Sequence, residues 1–420
     1  MNPALHSFLG FFALHAIAWM LSERRGRFAA RPVLAGMALT LALGAVLLKV
    51  PVVSEAFLAV NKLITVLQNA TGAGTSFVFG YLGGAPLPFA ESYPGSSFIL
   101  ATRALPLVIV ASALSSLLFY WGVLPRVVRV FAWVLRRGMG IGGAVGLSAA
   151  ANVFVGMVEA PLFVRPWLGR MTRSELFITM SCGMATIAGT VMVLYAGILD
   201  KVIPDILGHL LIASLLATPA AIAVSLLMVP PEADAGLAPA AEARLMPAQE
   251  SRSAMDAITR GTLDGASLYI NIVAMLLALV ALVALANGVL AWLPPVGEET
   301  LTLQRMLGWL MAPLVWLMGI PWSEAVTAGA LMGTKTVLNE LIAYIDLANL
   351  PQDTLSSRTE LIMIYAMCGF ANLGSLGIMI GGLCTMAPER RDDIVALGAR
   401  SVISGTLATC IAGSVVGMLY

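Results

Sequence analysis

Charge is what this sequence has least of. Only 11% of its 420 residues are Asp, Glu, Lys or Arg, well under the roughly 25% of an average soluble domain, while 59% are hydrophobic. Too few charges remain to cover a water-facing surface, so a polytopic membrane protein is implied. The formal net charge of +1 and the absence of any long Lys or Arg run exclude nucleic acid as a partner. Cysteine is scarce as well. Cys182, Cys368, Cys384 and Cys410 sit in apolar surroundings without Cys-x-x-Cys spacing, so neither a zinc site nor a disulfide framework is indicated. His6, His15 and His209 are isolated from one another and from any nucleophile. With no phosphate loop and no metal cluster, an intramembrane enzyme is only a remote alternative, as is a binding protein that does not concentrate its ligand.

What the sequence does contain is a series of long apolar runs. Leu5 to Leu21 and Pro32 to Val50 are each long enough to span a bilayer. Arg24, Arg25, Arg27 and Arg31 lie between them, which by the positive-inside rule puts that loop in the cytoplasm and the N-terminus outside. Val53 to Gly80 reads as an interfacial helix, Pro86 to Ser97 as a loop and Phe98 to Val123 as a span followed by Arg126, Arg129, Arg136 and Arg137. Further spans are expected at Glu175 to Leu199, Leu207 to Val229, Asp264 to Leu293, Glu360 to Leu383 and Ile394 to Leu419. Leu303 to Met318 is a second candidate interfacial helix. Pro230 to Met255, rich in Ala, Pro and Glu, is linker-like and expected in the cytoplasm.

Two stretches do not fit a plain crossing. Gly138 to Arg170 contains Asn152, Gly156, Glu159 and Pro161, and Pro321 to Tyr344 contains Ser323, Glu324, Lys335, Asn339 and Glu340. Polar groups and helix breakers at membrane depth are costly unless the opened backbone lines a cavity. Each therefore predicts a re-entrant hairpin. The span after each is itself interrupted, at Thr186 to Thr190 and at Asn372 to Ser375. Arg173-Ser-Glu-Leu is echoed by Arg358-Thr-Glu-Leu, and Cys182-Gly-Met-Ala-Thr-Ile by Cys368-Gly-Phe-Ala-Asn-Leu, at nearly the same offset. The same unit thus occurs twice, once entered from each side. Paired broken helices in an inverted repeat point to a secondary transporter with its site at the midplane.

The predicted fold is an all-α polytopic membrane protein of eight transmembrane helices, two re-entrant hairpins and interfacial helices in an inverted repeat. It divides into N-terminal spans and an interfacial helix, mainly scaffold (1–137), a first transport repeat (138–229), a linker (230–255), a long scaffold span (256–302) and a second transport repeat (303–420).

Three motifs together resemble the concentrative nucleoside transporter family: Asn152 to Pro161, Asn339-Glu340-Leu341, and Gly369-Phe370-Ala371-Asn372-Leu373-Gly374-Ser375. The resemblance runs from about Pro32 to the C-terminus. It implies a homotrimer in the bacterial inner membrane that imports a nucleoside with sodium, or with protons as in some bacterial members. Carried over by position, Glu340, Asn372 and Ser375 would hold the ribose, and Gly156, Met157, Val158, Glu159, Val191 and Phe370 would face the base. Asn152, Val155, Thr186 and Ile187 would hold the cation, largely through backbone carbonyls. The chemistry suits these roles: a carboxylate, an amide and a hydroxyl match a vicinal diol, and unwound carbonyls suit an alkali cation. Thr186 retains a hydroxyl, which favours sodium. Met157-Val158 stands where the family has Gln followed by Ser or Thr, so the polar edge of the base loses two partners there, roughly 1–3 kcal/mol for each group left unsatisfied. An atypical base, or weak base discrimination, is the expectation.

Overall fold

A computed structural model describes residues 2–27, 29–50, 66–91, 97–141, 143–199, 206–231, 251–296, 300–351 and 353–420. These residues are helical and irregular, with no β-strand among them. Helices α1 (Pro3–Met20) and α2 (Ala30–Lys49) occupy the first two predicted spans. The interfacial helix expected from Val53 lies partly outside the described residues; α3 covers 66–79. The next span is α4 (Leu100–Arg103) followed by α5 (Leu107–Tyr120). Then comes α6 (Val123–Met139), an amphipathic helix not expected from the sequence. Val128, Phe131, Leu135 and Met139 recur at helical spacing on its buried face, while its arginines cluster elsewhere.

The first hairpin is α7 (Gly143–Asn152), a turn, and the short pieces α8 (Glu159–Leu162) and α9 (Arg165–Leu168). It is followed by α10 (Arg173–Ala185), a break at 186–188, α11 (Gly189–Leu199) and α12 (Ile206–Met228). Most of the expected linker, 232–250, lies outside the described residues. Helix α13 (Ala254–Leu290) starts ten residues before the predicted span, because Ser253 caps it through the Asp256 N–H. Then follow α14 (Leu303–Leu317), α15 (Trp322–Val337) and α16 (Glu340–Ala348), which runs past the expected end at Tyr344. The chain closes with α17 (Ser357–Met367), α18 (Leu373–Met386) and α19 (Arg391–Leu419). Among the described residues, seven helices are long and apolar enough to cross a membrane. The expected span Glu360 to Leu383 is occupied by two half-helices, α17 and α18, neither long enough to cross alone.

The second interruption is displaced from its predicted place. Asn372 to Ser375 does not break the span; residues 368–372 do, and Asn372 caps the new helix by accepting the Ser375 N–H at 2.7 Å. An Asn that looks like a helix breaker in the pattern is a helix starter here.

Packing separates two groups of helices. Helices α1, α2, α10, α12, α17 and α19 form one bundle with α19 at its centre, whereas α13 lies along α5. Within residues 1–137, α1 and α2 thus belong with the bundle and α5 with α13. The α5–α13 approach rests on Gly261 and Gly265, where an added Cβ would come within 2.6 Å of Ser116 and 2.8 Å of Ile109. Small residues four apart are the usual way for membrane helices to meet closely. Further along α13, Leu268, Ile272 and Leu276 are partly buried against the core, while Leu263, Leu277 and Leu285 on its other side are exposed.

The two repeated arginines show how the halves are inverted. Arg173, at the start of α10, binds Glu23 just past the end of α1 and Asp393 at the start of α19, at 2.9 and 3.0 Å. Arg358, at the start of α17, reaches the opposite ends of the same two helices: Pro3 and Ser7 of α1, and Gly417 of α19. It also binds the Gly319 carbonyl beside the root of α15. The hairpins follow suit. Arg390 binds the carbonyls of Gly169 and Met171 at the foot of the first, and Glu324 at the foot of the second accepts from Ser356. Hence α10 and α17 enter from opposite faces. At 1.5 Å per residue their 13 and 11 residues reach about 20 and 16 Å, so both breaks fall near the middle of a hydrocarbon layer about 30 Å thick.

Candidate functional site

Both breaks meet at that depth. The Phe370 N–H donates to the Thr186 carbonyl at 3.3 Å, and Gly369 allows the contact, since a Cβ there would lie 2.9 Å from the Ala185 carbonyl oxygen. In each repeat the hairpin tip is tied to the break in its own following span. In the first, the Thr186 hydroxyl lies 3.0 Å from the Asn152 carbonyl and 2.9 Å from that of Cys182, and the Gly189 N–H donates to Phe154 at 3.0 Å. In the second, Asn372 Nδ2 donates to Glu340 Oε2 at 2.9 Å.

Each tip also touches the other repeat. Val158 of the first hairpin packs where a Cβ at Gly382 of α18 would sit, 2.8 Å from its Cγ1. Glu340 of the second hairpin accepts a short hydrogen bond from the Tyr195 hydroxyl on α11. Tyr195 was not foreseen from the sequence. The signal was present in its spacing: it lies one helical turn after Val191, so both project from one face of α11.

Around the first break, Asn152 ends α7 and is buried, its Nδ2 donating to the Ser148 carbonyl at 3.1 Å. Its Oδ1 is buried with no hydrogen-bond partner. Ile187 is buried and Val155 half-buried in the turn. These three residues, with Thr186, bring an orphaned amide oxygen, a hydroxyl and opened backbone together around the break. No cluster of His, Cys, Asp and Glu suited to a transition metal or zinc occurs among the described residues.

Met157 is buried and presses on Gly183, where a Cβ would lie 3.0 Å from its own. Both Met157 and Val158 are thus used in packing between the hairpin tip and the half-helices. Glu159 opens α8 and is exposed, its carboxylate folded back over Gly156. Val191 is buried on α11, Phe370 is half-buried and Ser375 is buried on the first turn of α18. Glu340, 3% exposed, opens α16, which Asn339 caps through the Ile342 N–H at 2.9 Å.

Lys335 lies in the second hairpin, five residues before Glu340. It is fully buried, donating to the Ala366 carbonyl at 2.9 Å and the Thr409 hydroxyl at 3.1 Å. Its ammonium therefore braces α15 against α17 and α19, one turn behind Glu340.

A helical membrane bundle whose hairpins enter from opposite faces and hold two broken spans against each other has the architecture of a secondary transporter. Residues 9–82 match the Na+ dependent nucleoside transporter N-terminus, residues 209–417 the corresponding C-terminus, and residues 101–202 a segment described as nucleoside recognition. An uncharacterized transporter of Haemophilus influenzae is 37% identical, with 99% of this chain and 97% of that protein covered. The nucleoside permease NupC of Helicobacter pylori is 34% identical over 99% of this chain and 97% of its own. The solved structure of CNTnw in an inward-facing substrate-bound state superposes with a TM-score of 0.89 at 38% identity, covering 99% of this chain and 97% of that one. The chain belongs to the concentrative nucleoside transporter family, a family of membrane transporters and not of enzymes.

Proposed function

We propose that this protein imports nucleosides across the bacterial inner membrane by sodium symport, with its N-terminus outside and three copies forming the working assembly. The observation that carries the coupling is the buried Asn152 Oδ1 without a partner, on the residue whose main-chain carbonyl takes the Thr186 hydroxyl where both elements open. An acceptor so placed is costly unless a cation or a donor reaches it. Asn152, Val155, Thr186 and Ile187 offer oxygen ligands of the hardness sodium prefers without burying a full negative charge.

The sugar belongs at Glu340, Asn372 and Ser375. Glu340 and Asn372 already orient each other, and their remaining donors and acceptors complement a vicinal diol. The base falls to Gly156, Met157, Val158, Glu159, Val191 and Phe370. With the side chains of Met157 and Val158 engaged in packing and bearing no hydrogen-bonding groups, base discrimination is weak or directed to an atypical base. A ribose-bearing solute with a varied base is the proposed cargo.

Proteoliposomes test the whole reading. Nucleoside accumulation should follow an inward sodium gradient and should persist when the pH gradient is collapsed. Accumulation driven by a proton gradient in sodium-free buffer would replace sodium by proton coupling, and equilibration without accumulation would reject active transport.

A further inference from the structure

The Glu340 carboxylate is held from both sides. Tyr195 donates to Oε1 and Asn372 donates to Oε2. An ionised carboxylate has about four acceptor positions, so these two side-chain donors leave acceptor capacity for a solute. Two parallel acceptors side by side match the two hydroxyls of a vicinal diol. Without the Tyr195 hydroxyl, Oε1 loses its side-chain donor and the carboxylate is less firmly held about its terminal torsion.

The ring of Tyr195 is itself locked. It is 3% exposed and lies 5.5 Å from the Tyr344 ring, centroid to centroid, tilted by 53°. Tyr344 in turn donates to the Ile364 carbonyl on α17 at 2.8 Å. Tyr195 comes from the first repeat, two turns beyond the break that contains Thr186, whereas Glu340 comes from the second. A side chain fixed on rigid neighbours transmits its geometry to whatever it bonds.

We propose that Tyr195 is a specificity-determining positioning residue for the sugar. By occupying Oε1 it presents Glu340 as a bidentate acceptor, so that solutes carrying both ribose hydroxyls are selected over those lacking them. The inference rests on the reading of Glu340 as the sugar carboxylate, and it adds a residue from the opposite repeat to that subsite. Tyr195 need not touch the solute.

Binding of uridine and 2′,3′-dideoxyuridine to the purified transporter in nanodiscs at saturating sodium tests this, with Tyr195→Phe and Glu340→Gln beside the unaltered protein. The readout is the ratio of the two affinities. Tyr195→Phe should shrink that ratio by roughly tenfold, the loss expected of one hydrogen bond to a charged group, with dideoxyuridine binding changed by less than about twofold. An equal loss for both solutes would mark a merely structural tyrosine and overturn the proposal. Should Glu340→Gln collapse the ratio while Tyr195→Phe leaves it intact, the Tyr195 role fails and the sugar site stands. Should Glu340→Gln leave the ratio intact, the sugar-site reading itself fails. If Tyr195→Phe does not fold, 3-fluorotyrosine at position 195 keeps the shape and strengthens the donor. The ratio must then still move, and an unmoved ratio overturns the proposal.

Discussion

Thr186 shows how much one hydroxyl can hold at this site. It has a single proton to give, shared between the carbonyls of Cys182 and Asn152, and its lone pairs remain for a cation. Thr186→Val keeps the shape and removes the oxygen. The sodium concentration for half-maximal nucleoside binding should rise about five- to tenfold, as expected for one lost ligand interaction of about 1 kcal/mol. A sodium titration of nucleoside binding measures it, and an unchanged midpoint would remove Thr186 from the ion site. The base side carries a prediction of opposite sign. Met157→Gln with Val158→Thr restores two hydrogen-bonding groups at the hairpin tip, so discrimination across a nucleoside panel should sharpen by roughly tenfold for each base contact regained. Because Met157 presses on Gly183, a small loss of thermal stability should accompany the gain.

Among the elements, the two repeated arginines do the same job by different physics. Arg358 binds the carbonyls of Gly319, Pro3 and Gly417 and the Ser7 hydroxyl, joining three segments at one face. Arg358→Ala strands those acceptors, at a cost of about 1–3 kcal/mol for each group left buried and unpaired, and should lower the melting temperature strongly. Arg173 makes partly solvated ion pairs, worth at most about 1 kcal/mol each, so Arg173→Ala should matter less. The hydrogen bond from Arg173 holds the Glu23 carboxyl below its ordinary range. A depressed carboxylate contributes stability that is present above its unfolded value of about 4.5 and disappears as pH falls through the folded value. The difference in melting temperature between Glu23→Gln and the unaltered protein should therefore be visible at pH 7 and shrink steadily as the pH is lowered below about 4.5. A difference that persisted in acid would mean that the pair acts through packing.

These same elements show what the sequence disclosed and what it withheld. The hairpin containing Asn152 and Glu159 and the break after Ala185 were legible because Gly, Pro and polar residues inside an apolar run are tolerated in lipid only where the opened backbone is buried in protein or lines a cavity. The inversion was legible because basic residues mark one face. Helix α6 was hidden by its arginines, which draw the eye as a charge marker after the span although its apolar residues keep helical spacing. The second break was misplaced because Asn372 marks a helix start only once the Ser375 N–H is seen to cap on it. The spacing of Tyr195 from Val191 puts it on the same face of α11, but its bond to Glu340 could not be read: that partner is 145 residues away, and no local pattern joins an aromatic in one repeat to a carboxylate in the other.

At the scale of the whole molecule, the contacts form a crossed pair. Each hairpin is bound to the break of its own repeat and to the second half-helix of the other, Val158 against Gly382 and Glu340 with Tyr195. Ordering the turn between Asn152 and Thr186 with a cation should therefore stiffen α11, which carries Val191 of the proposed base subsite and the Tyr195 that bonds Glu340. Linkage makes the effect reciprocal: the factor by which sodium tightens nucleoside binding must equal the factor by which nucleoside tightens sodium binding. Couplings of this kind are typically about 1–3 kcal/mol, or about five- to 150-fold. Calorimetric titration of each ligand in the absence and presence of the other should give one common factor in that range, and Thr186→Val should reduce it from both directions. With one sodium ion per solute, each 100 mV of membrane potential can sustain about a forty-fold nucleoside gradient. A steady-state ratio in proteoliposomes that rises by about the square of that factor would mean two charges per cycle, and a second cation site beyond the one framed by Asn152 and Thr186.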